Sequence, residues 1–442
     1  MIRRLLAVAS ATTLLQAAPL AAQLGSYNPE PGPRATVVIR NARIVPVRGE
    51  VIANGSLVIA DGRIQAIGAN VTSPAGAQVI DATGLSVYPG MMDAGTTMGL
   101  AEIEQGANAT LDQSETGRFN PNAQALWGIN PHSAHIGVTR VVGITHVVSR
   151  PTGGLIGGQA ALINLAGFTA PGMAVVPRVA MVIQLPGQGG GGGFGGGGFG
   201  GGGGGNAAAR TAAIDSIRSM LDNAEAYGRA VDAASRDTAL PRPTADIILA
   251  ALVPVVRGEM PVIFPAESQA DIRAAVDFAK ERKLKPIIFG GRDAWRTTDL
   301  LKEHDTPVIF ARTMSLPVRD DDPYDVHYSA AAKLAAAGVR FAIASGEGDP
   351  DVRNLPYVAG MAAAFGLDRA AALRAVTLSP AEIFGVADRL GSLEVGKIAN
   401  LVVTDGDVLE ARTSTRYLFI DGRNVPLATK HSELYDMFKD RK

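Results

Sequence analysis

From Ala35 onward the chain falls into short β-branched runs. They are Thr36-Val37-Val38-Ile39-Arg40, Ala42-Arg43-Ile44-Val45-Pro46-Val47, Ser56-Leu57-Val58-Ile59 and Arg63-Ile64-Gln65-Ala66-Ile67. The last two flank Asp61-Gly62, a pair suited to the positive φ of a two-residue hairpin turn. The far end repeats this idiom: Ala399-Asn400-Leu401-Val402-Val403 reads as a strand, and Tyr417-Leu418-Phe419-Ile420 runs into Asp421-Gly422-Arg423. Two such hairpins at opposite ends predict one small β domain assembled from residues 35–88 and 385–430.

Between residues 89 and 384 the period changes, and apolar strand-like runs alternate with helical ones, the pattern of a parallel α/β sheet. Strand candidates are Ile144–Val148, Ala160–Leu165, Pro261–Phe264, Pro286–Phe289, Pro307–Phe310 and Phe341–Ala344. Ser268 to Glu281 carries Ile272, Ala275, Val276 and Ala279 on one helical face, with Ser268 as N-cap and Asp271 in the first turn. The span suits an eight-stranded barrel with insertions. One insertion, 187–205, is almost entirely glycine apart from Gln188, Phe194 and Phe199, and predicts a flexible loop. No Lys-Ser/Thr pair follows it, so a phosphate-cradling loop is not indicated.

Composition narrows the function. The 442 residues are 47% hydrophobic and 19% charged, which supports a large core and argues against disorder. A net charge of -1 argues against nucleic-acid binding. The chain has no cysteine, which removes disulfides, thiolate metal sites and cysteine nucleophiles. Arg3 and Arg4 precede an apolar run from Leu5 to about Leu15, with small residues at Ala17, Ala18, Ala21 and Ala22. That is the pattern of a signal peptide over 1–22, followed by a Pro-rich linker over 23–34. The run is short of the ~20 residues needed to span a bilayer. The expectation is a periplasmic or secreted protein with no membrane span after signal removal, ending in a C-terminal tail over 431–442.

Ser86-Val87-Tyr88-Pro89-Gly90-Met91-Met92-Asp93-Ala94-Gly95-Thr96-Thr97 resembles the first barrel strand of the amidohydrolase superfamily, in its imidazolonepropionase-like branch. There the motif is Pro-Gly-x-Ile-Asp-x-His-x-His, and Pro89, Gly90 and Asp93 match it. Gly391-Ser392-Leu393-Glu394-Val395-Gly396-Lys397-Ile398-Ala399-Asn400-Leu401 resembles the family's hand-back from barrel to β domain, with Asn400 replacing the usual aspartate. Pro151–Ala160 resembles the Gly-rich turn of exported members, and the likeness extends from residue 35 to about 430. The resemblance implies a TIM-type (β/α)8 barrel flanked by a small β-sandwich built from both chain ends. It also implies a hydrolase of carbon–nitrogen (non-peptide) bonds using zinc or another divalent metal, which brings the pKa of bound water from ~15.7 to ~7.

The expected ligands are missing at each aligned position. Gly95 and Thr97 stand where the first two histidines belong, Pro265 at the third, and Phe289 or Gly290 at the sixth-strand histidine. Gly346 replaces the metal-binding aspartate that takes the proton from water. Glycine and proline carry no donor side chain, and a threonine hydroxyl is a weak ligand. The expectation is therefore no metal and no cofactor.

Candidates for a relocated site are few. His146 alternates with apolar residues in a strand, and Glu267, Glu347, Asp349 and Asp351 lie near the expected barrel mouth, the last three beside Arg353. A two-carboxylate pair is a conceivable acid/base device. His132 and His135 share one helical face, while His304, His327 and His431 read as solvated. Ser133 and Ser345 lack a Gly-x-Ser-x-Gly context. The leading expectation is a non-catalytic member, with an active homologue, a second copy or a small-molecule or peptide-like ligand as partner. The alternative is an active hydrolase with a relocated site. A third is an envelope interaction protein using the Gly-rich loop.

Overall fold

The computed structural model describes residues 31–103, 108–187, 207–346 and 348–441. The expected signal peptide, the expected linker up to residue 30, the Gly-rich insertion after Gly187 and Glu347 lie outside the described residues.

The two ends of the chain form one sheet. Its N-terminal strands are β1 (Val37–Ile44), β2 (Ile52–Ala60), β3 (Arg63–Gly68), β4 (Gln78–Asp81) and β5 (Ser86–Pro89). A second set of eight strands makes a nearly closed barrel. They are β6 (Met91–Thr96), β7 (Ile144–Ser149), β8 (Ile156–Asn164), β9 (Ala174–Ile183), β10 (Val262–Ala266), β11 (Pro286–Gly290), β12 (Val308–Phe310) and β13 (Phe341–Ile343). The chain then returns to the first sheet as β14 (Leu401–Thr404), β15 (Thr415–Ile420) and β16 (Arg423–Asn424). Strand β14 pairs antiparallel with β5, from Leu401 opposite Pro89 to Thr404 opposite Ser86. This joins the two halves. The sheet packs around its own core, including Val37, Ile39, Leu57, Ile64, Val87, Leu401 and Phe419.

The hairpin tips explain why Asp-Gly recurs. Asp61 and Gly62 have φ of 51° and 77°, and Asp421 and Gly422 have 53° and 70°, the left-handed pairs the turn requires. The tips also meet: a Cβ on Gly422 would stand 3.0 Å from the carbonyl carbon of Gly62. Only two bare turns can approach so closely.

The barrel departs from a fully parallel one at a single strand. β8 runs antiparallel to both β7 and β9, while the other neighbours in the barrel are parallel. The segment 150–155 between β7 and β8 is too short for a crossover, which needs a dozen or more residues. It turns back instead through Gly153 and Gly154, at φ 80° and 66°. The first half of the Gly-rich stretch, 151–155, is thus the turn that reverses the third strand, and the rest of it is β8 itself. All eight strands contribute to an apolar lumen, among them Met92, Ala94, Val148, Leu162, Val182, Ile263, Phe289, Ile309 and Ala342.

Local signals held elsewhere. Ser268 caps the helix Gln269–Arg282, and its capping box with Asp271 is complete. Where a C-terminal tail is expected, Lys430–Phe438 is a helix with no buried residue, capped by Thr429 and Ser432. The described residues contain no helix long and apolar enough to cross a membrane.

Candidate functional site at the barrel mouth

The parallel strands aim their C-terminal ends at one mouth, where a barrel of this kind keeps its chemistry. Entry into the first strand depends on Gly90, because a Cβ there would lie 2.8 Å from the Cβ of Thr145. Three residues later Asp93 is fully buried. Its Oδ1 accepts from the Gly95 N–H at 3.1 Å. Its Oδ2 accepts from the backbone N–H of Ser345 at 3.0 Å and from the Ser345 hydroxyl at 2.5 Å. No ladder hydrogen bond joins β13 to β6. The Asp93 carboxylate therefore spans the seam of the barrel, from the first strand to the end of the last. Burial pushes its carboxyl up to about 6, against the hydrogen bonds from Ser345 and Gly95 and the positive charge of Arg150.

Arg150, directly after β7, is buried, and its guanidinium carbon lies 3.8 Å from the centroid of the Phe289 ring. Such stacking is favourable for a desolvated guanidinium. Phe289 in turn covers Gly95: a Cβ built there would stand 2.8 Å from the ring Cδ2 and nearer still to Cε2. Neighbouring Gly290 is covered by Glu267, whose carboxyl carbon would lie 2.8 Å from its Cβ.

The sequence candidates now have places. Glu267 is engaged by arginine: Oε1 accepts from Arg312 Nε at 2.8 Å and Nη2 at 2.5 Å, and Oε2 from the Arg292 N–H at 3.1 Å. Thr97 is buried and Pro265 half-buried at this end of the barrel, and a Cβ on Gly346 would meet nothing within 4 Å. Ser345, half-buried beside it, contacts Asp93. Asp351 and Arg353 are exposed. Glu347 lies outside the described residues, as does the side chain of Asp349.

His146 is not at the mouth. It pairs with Asn164, the last residue of the reversed strand β8, and so sits at the opposite end of the barrel. Asn400 Nδ2 donates to its Nε2, its Nδ1 lies 2.7 Å from Thr145 Oγ1, and Asn400 also donates to Asn164 Oδ1 at 2.9 Å. Burial pushes its pKa down to about 3, so the ring is neutral at ordinary pH. Asn400 also accepts from the Asp421 N–H at 2.6 Å. An aspartate at 400 would have no N–H to offer His146 Nε2 or Asn164 Oδ1 as they are arranged here.

The remaining sequence candidates do not converge. His135 contacts the carbonyl of Glu102 at 3.0 Å, whereas His132 is exposed. Ser133 caps the helix Ala134–Arg140. His327, expected to be solvated, is buried, with Nδ1 3.1 Å from the Ser315 carbonyl. Arg150, Arg312 and the Asp93–Ser345 contact are the features of the mouth that sequence reasoning missed. An arginine between the end of a strand and Pro151 was the available signal for the first.

Residues 293–428 match the family model described as the amidohydrolase family. An amidohydrolase from Thermotoga maritima MSB8 superposes with a TM-score of 0.78 at 23% identity, over 88% of this chain and 99% of that one. The chain has the amidohydrolase fold. Two further solved structures share it more distantly. A prolidase complexed with N-methylphosphonate-L-proline has a TM-score of 0.54 at 19% identity, covering 88% of this chain and 99% of its own. A molinate hydrolase has a TM-score of 0.55 at 18% identity, covering 89% and 95%. No curated protein matches the sequence.

A metal of the kind this amidohydrolase fold implies does not fit the residues present. Gly95, Pro265, Gly290 and Gly346 offer no donor, and the space over Gly95 holds an aromatic ring. A fixed guanidinium lies on that ring, where it would repel a second cation. Among the described residues no three His, Asp or Glu side chains gather to hold an ion.

Proposed function

We propose that this is an exported, periplasmic or secreted amidohydrolase-fold protein that has left metal-dependent hydrolysis behind. It acts as a non-catalytic homologue, either a partner subunit of an active amidohydrolase or a pocket that holds a substrate-like small molecule or peptide. The observation that carries this reading is the Phe289 ring over Gly95 with Arg150 stacked upon it. A hydrolase of the family's kind needs imidazole and carboxylate there, and this barrel has put an aromatic ring and a guanidinium in the same space. The test is hydrolysis of a panel of small amides and dipeptides, with and without a chelator. The expected result is no chelator-sensitive turnover; a rate that falls with chelator and returns with zinc would overturn the reading.

A second reading keeps hydrolysis of carbon–nitrogen bonds at a relocated site. Neither Glu267 nor His146 favours it, since the first is held by Arg312 and the second lies at the far end of the barrel. The one arrangement in its favour is a serine hydroxyl hydrogen-bonded to a buried carboxylate at the mouth.

A further inference from the structure

Three features of the mouth coincide at the end of β13. Ser345 Oγ lies 2.5 Å from Asp93 Oδ2, within reach for proton transfer. Asp93 is oriented in its turn by the Gly95 N–H and faces the Arg150 charge, so the base is held by a third group. The residue after the serine, Gly346, has φ +136° and open space where its side chain would be. In serine hydrolases the N–H of the residue after the nucleophile can stabilise the oxyanion. Here that residue is Gly346.

We propose that Ser345 is a metal-independent nucleophile that accepts an acyl group from an activated carboxylic ester, with Asp93 as its base. The inference rests on the metal-free reading above. The Ser345 hydroxyl gives its proton to Asp93 as Oγ bonds to the acyl carbon. The bond from that carbon to the leaving alkoxide then breaks, and the alkoxide recovers the proton from Asp93. The products are acyl-Ser345 and the free alcohol. Loss of the acyl group then requires water to take the place of the serine hydroxyl beside Asp93, the base freed by departure of the alcohol. This gives the second reading a defined residue, with turnover limited by loss of the acyl group.

The experiment treats the full chain with an alkyl fluorophosphonate and, separately, with p-nitrophenyl acetate, and reads intact mass and the modified peptide. One adduct per chain on Ser345 is expected, insensitive to chelator. It should be absent in Ser345→Ala and retained in Ser133→Ala. In Asp93→Asn it should form at least about a hundredfold more slowly, on the order of the general-base contribution. Circular dichroism establishes whether Asp93→Asn folds; if it does not, the Ser345→Ala arm decides alone. No adduct, an adduct elsewhere, or an unchanged rate in a folded Asp93→Asn variant would overturn the assignment. Absence of labelling in a metal-free protein sinks this inference alone. Labelling that needs zinc sinks the metal-free reading with it.

Discussion

Gly95→Ala should destabilise the protein by about 3 kcal/mol, a large cost for adding one methyl group. The new Cβ would stand 2.8 Å from Phe289 Cδ2 and closer to Cε2. The ring is 1% exposed and has Arg150 against its face, so it has little room to give. Phe289→Ala alone should cost about 3–5 kcal/mol through the cavity it leaves. In that background the Gly95→Ala penalty should nearly vanish, because the clash and the cavity occupy the same space. Urea unfolding of the four proteins measures this coupling directly. Additive costs would mean that Phe289 does not fill the position. The same geometry says that histidine at 95 cannot rebuild a ligand while Phe289 remains.

Asp93→Ala should cost on the order of 3–5 kcal/mol at neutral pH, typical of breaking a buried charged network. It removes the acceptor for the N–H groups of Gly95 and Ser345 and for the Ser345 hydroxyl, and the carboxylate facing Arg150. It also cuts the bridge across the seam between β13 and β6. The penalty should vary with pH in a defined direction. The folded pKa of Asp93 is raised from 3.8 to about 6, so the folded protein binds the proton more tightly than the unfolded chain. The stability from that proton is fully present below 3.8 and is lost as pH rises through about 6. The wild type should therefore gain on the Asp93→Ala variant as pH falls from 7 to 4. Unfolding free energies at several pH values in that window test it, and a pH-independent difference would contradict it.

Much of the fold was legible because its signals are local. Asp61-Gly62 and Asp421-Gly422 need positive φ at both positions, so each marks a hairpin without reference to the rest of the chain. Gly391–Leu401 was legible through its resemblance to the family's hand-back motif, and in the structure Lys397 Nζ lies 2.5 Å from Ser392 Oγ and 2.8 Å from Glu394 Oε1 within it. The lack of ligands at 95, 97, 265, 290 and 346 could be read position by position. What replaced them could not. The apolar run Pro286–Phe289 marks a strand, yet nothing in it says that Phe289 points into the lumen toward Gly95. The partner of His146 is 254 residues away, and that of Ser345 is 252 away. The reversed β8 was hidden for a different reason: an apolar run has no direction, and only the short turn at Gly153-Gly154 gives it one.

The central claim concerns the mouth, where a ring and a guanidinium hold the place of an ion. The most direct measurement is elemental analysis of the protein purified without chelator from cells grown with zinc, manganese and iron. The account predicts far less than one divalent ion per chain. One tightly held ion per chain, lost together with activity on chelation, would contradict it.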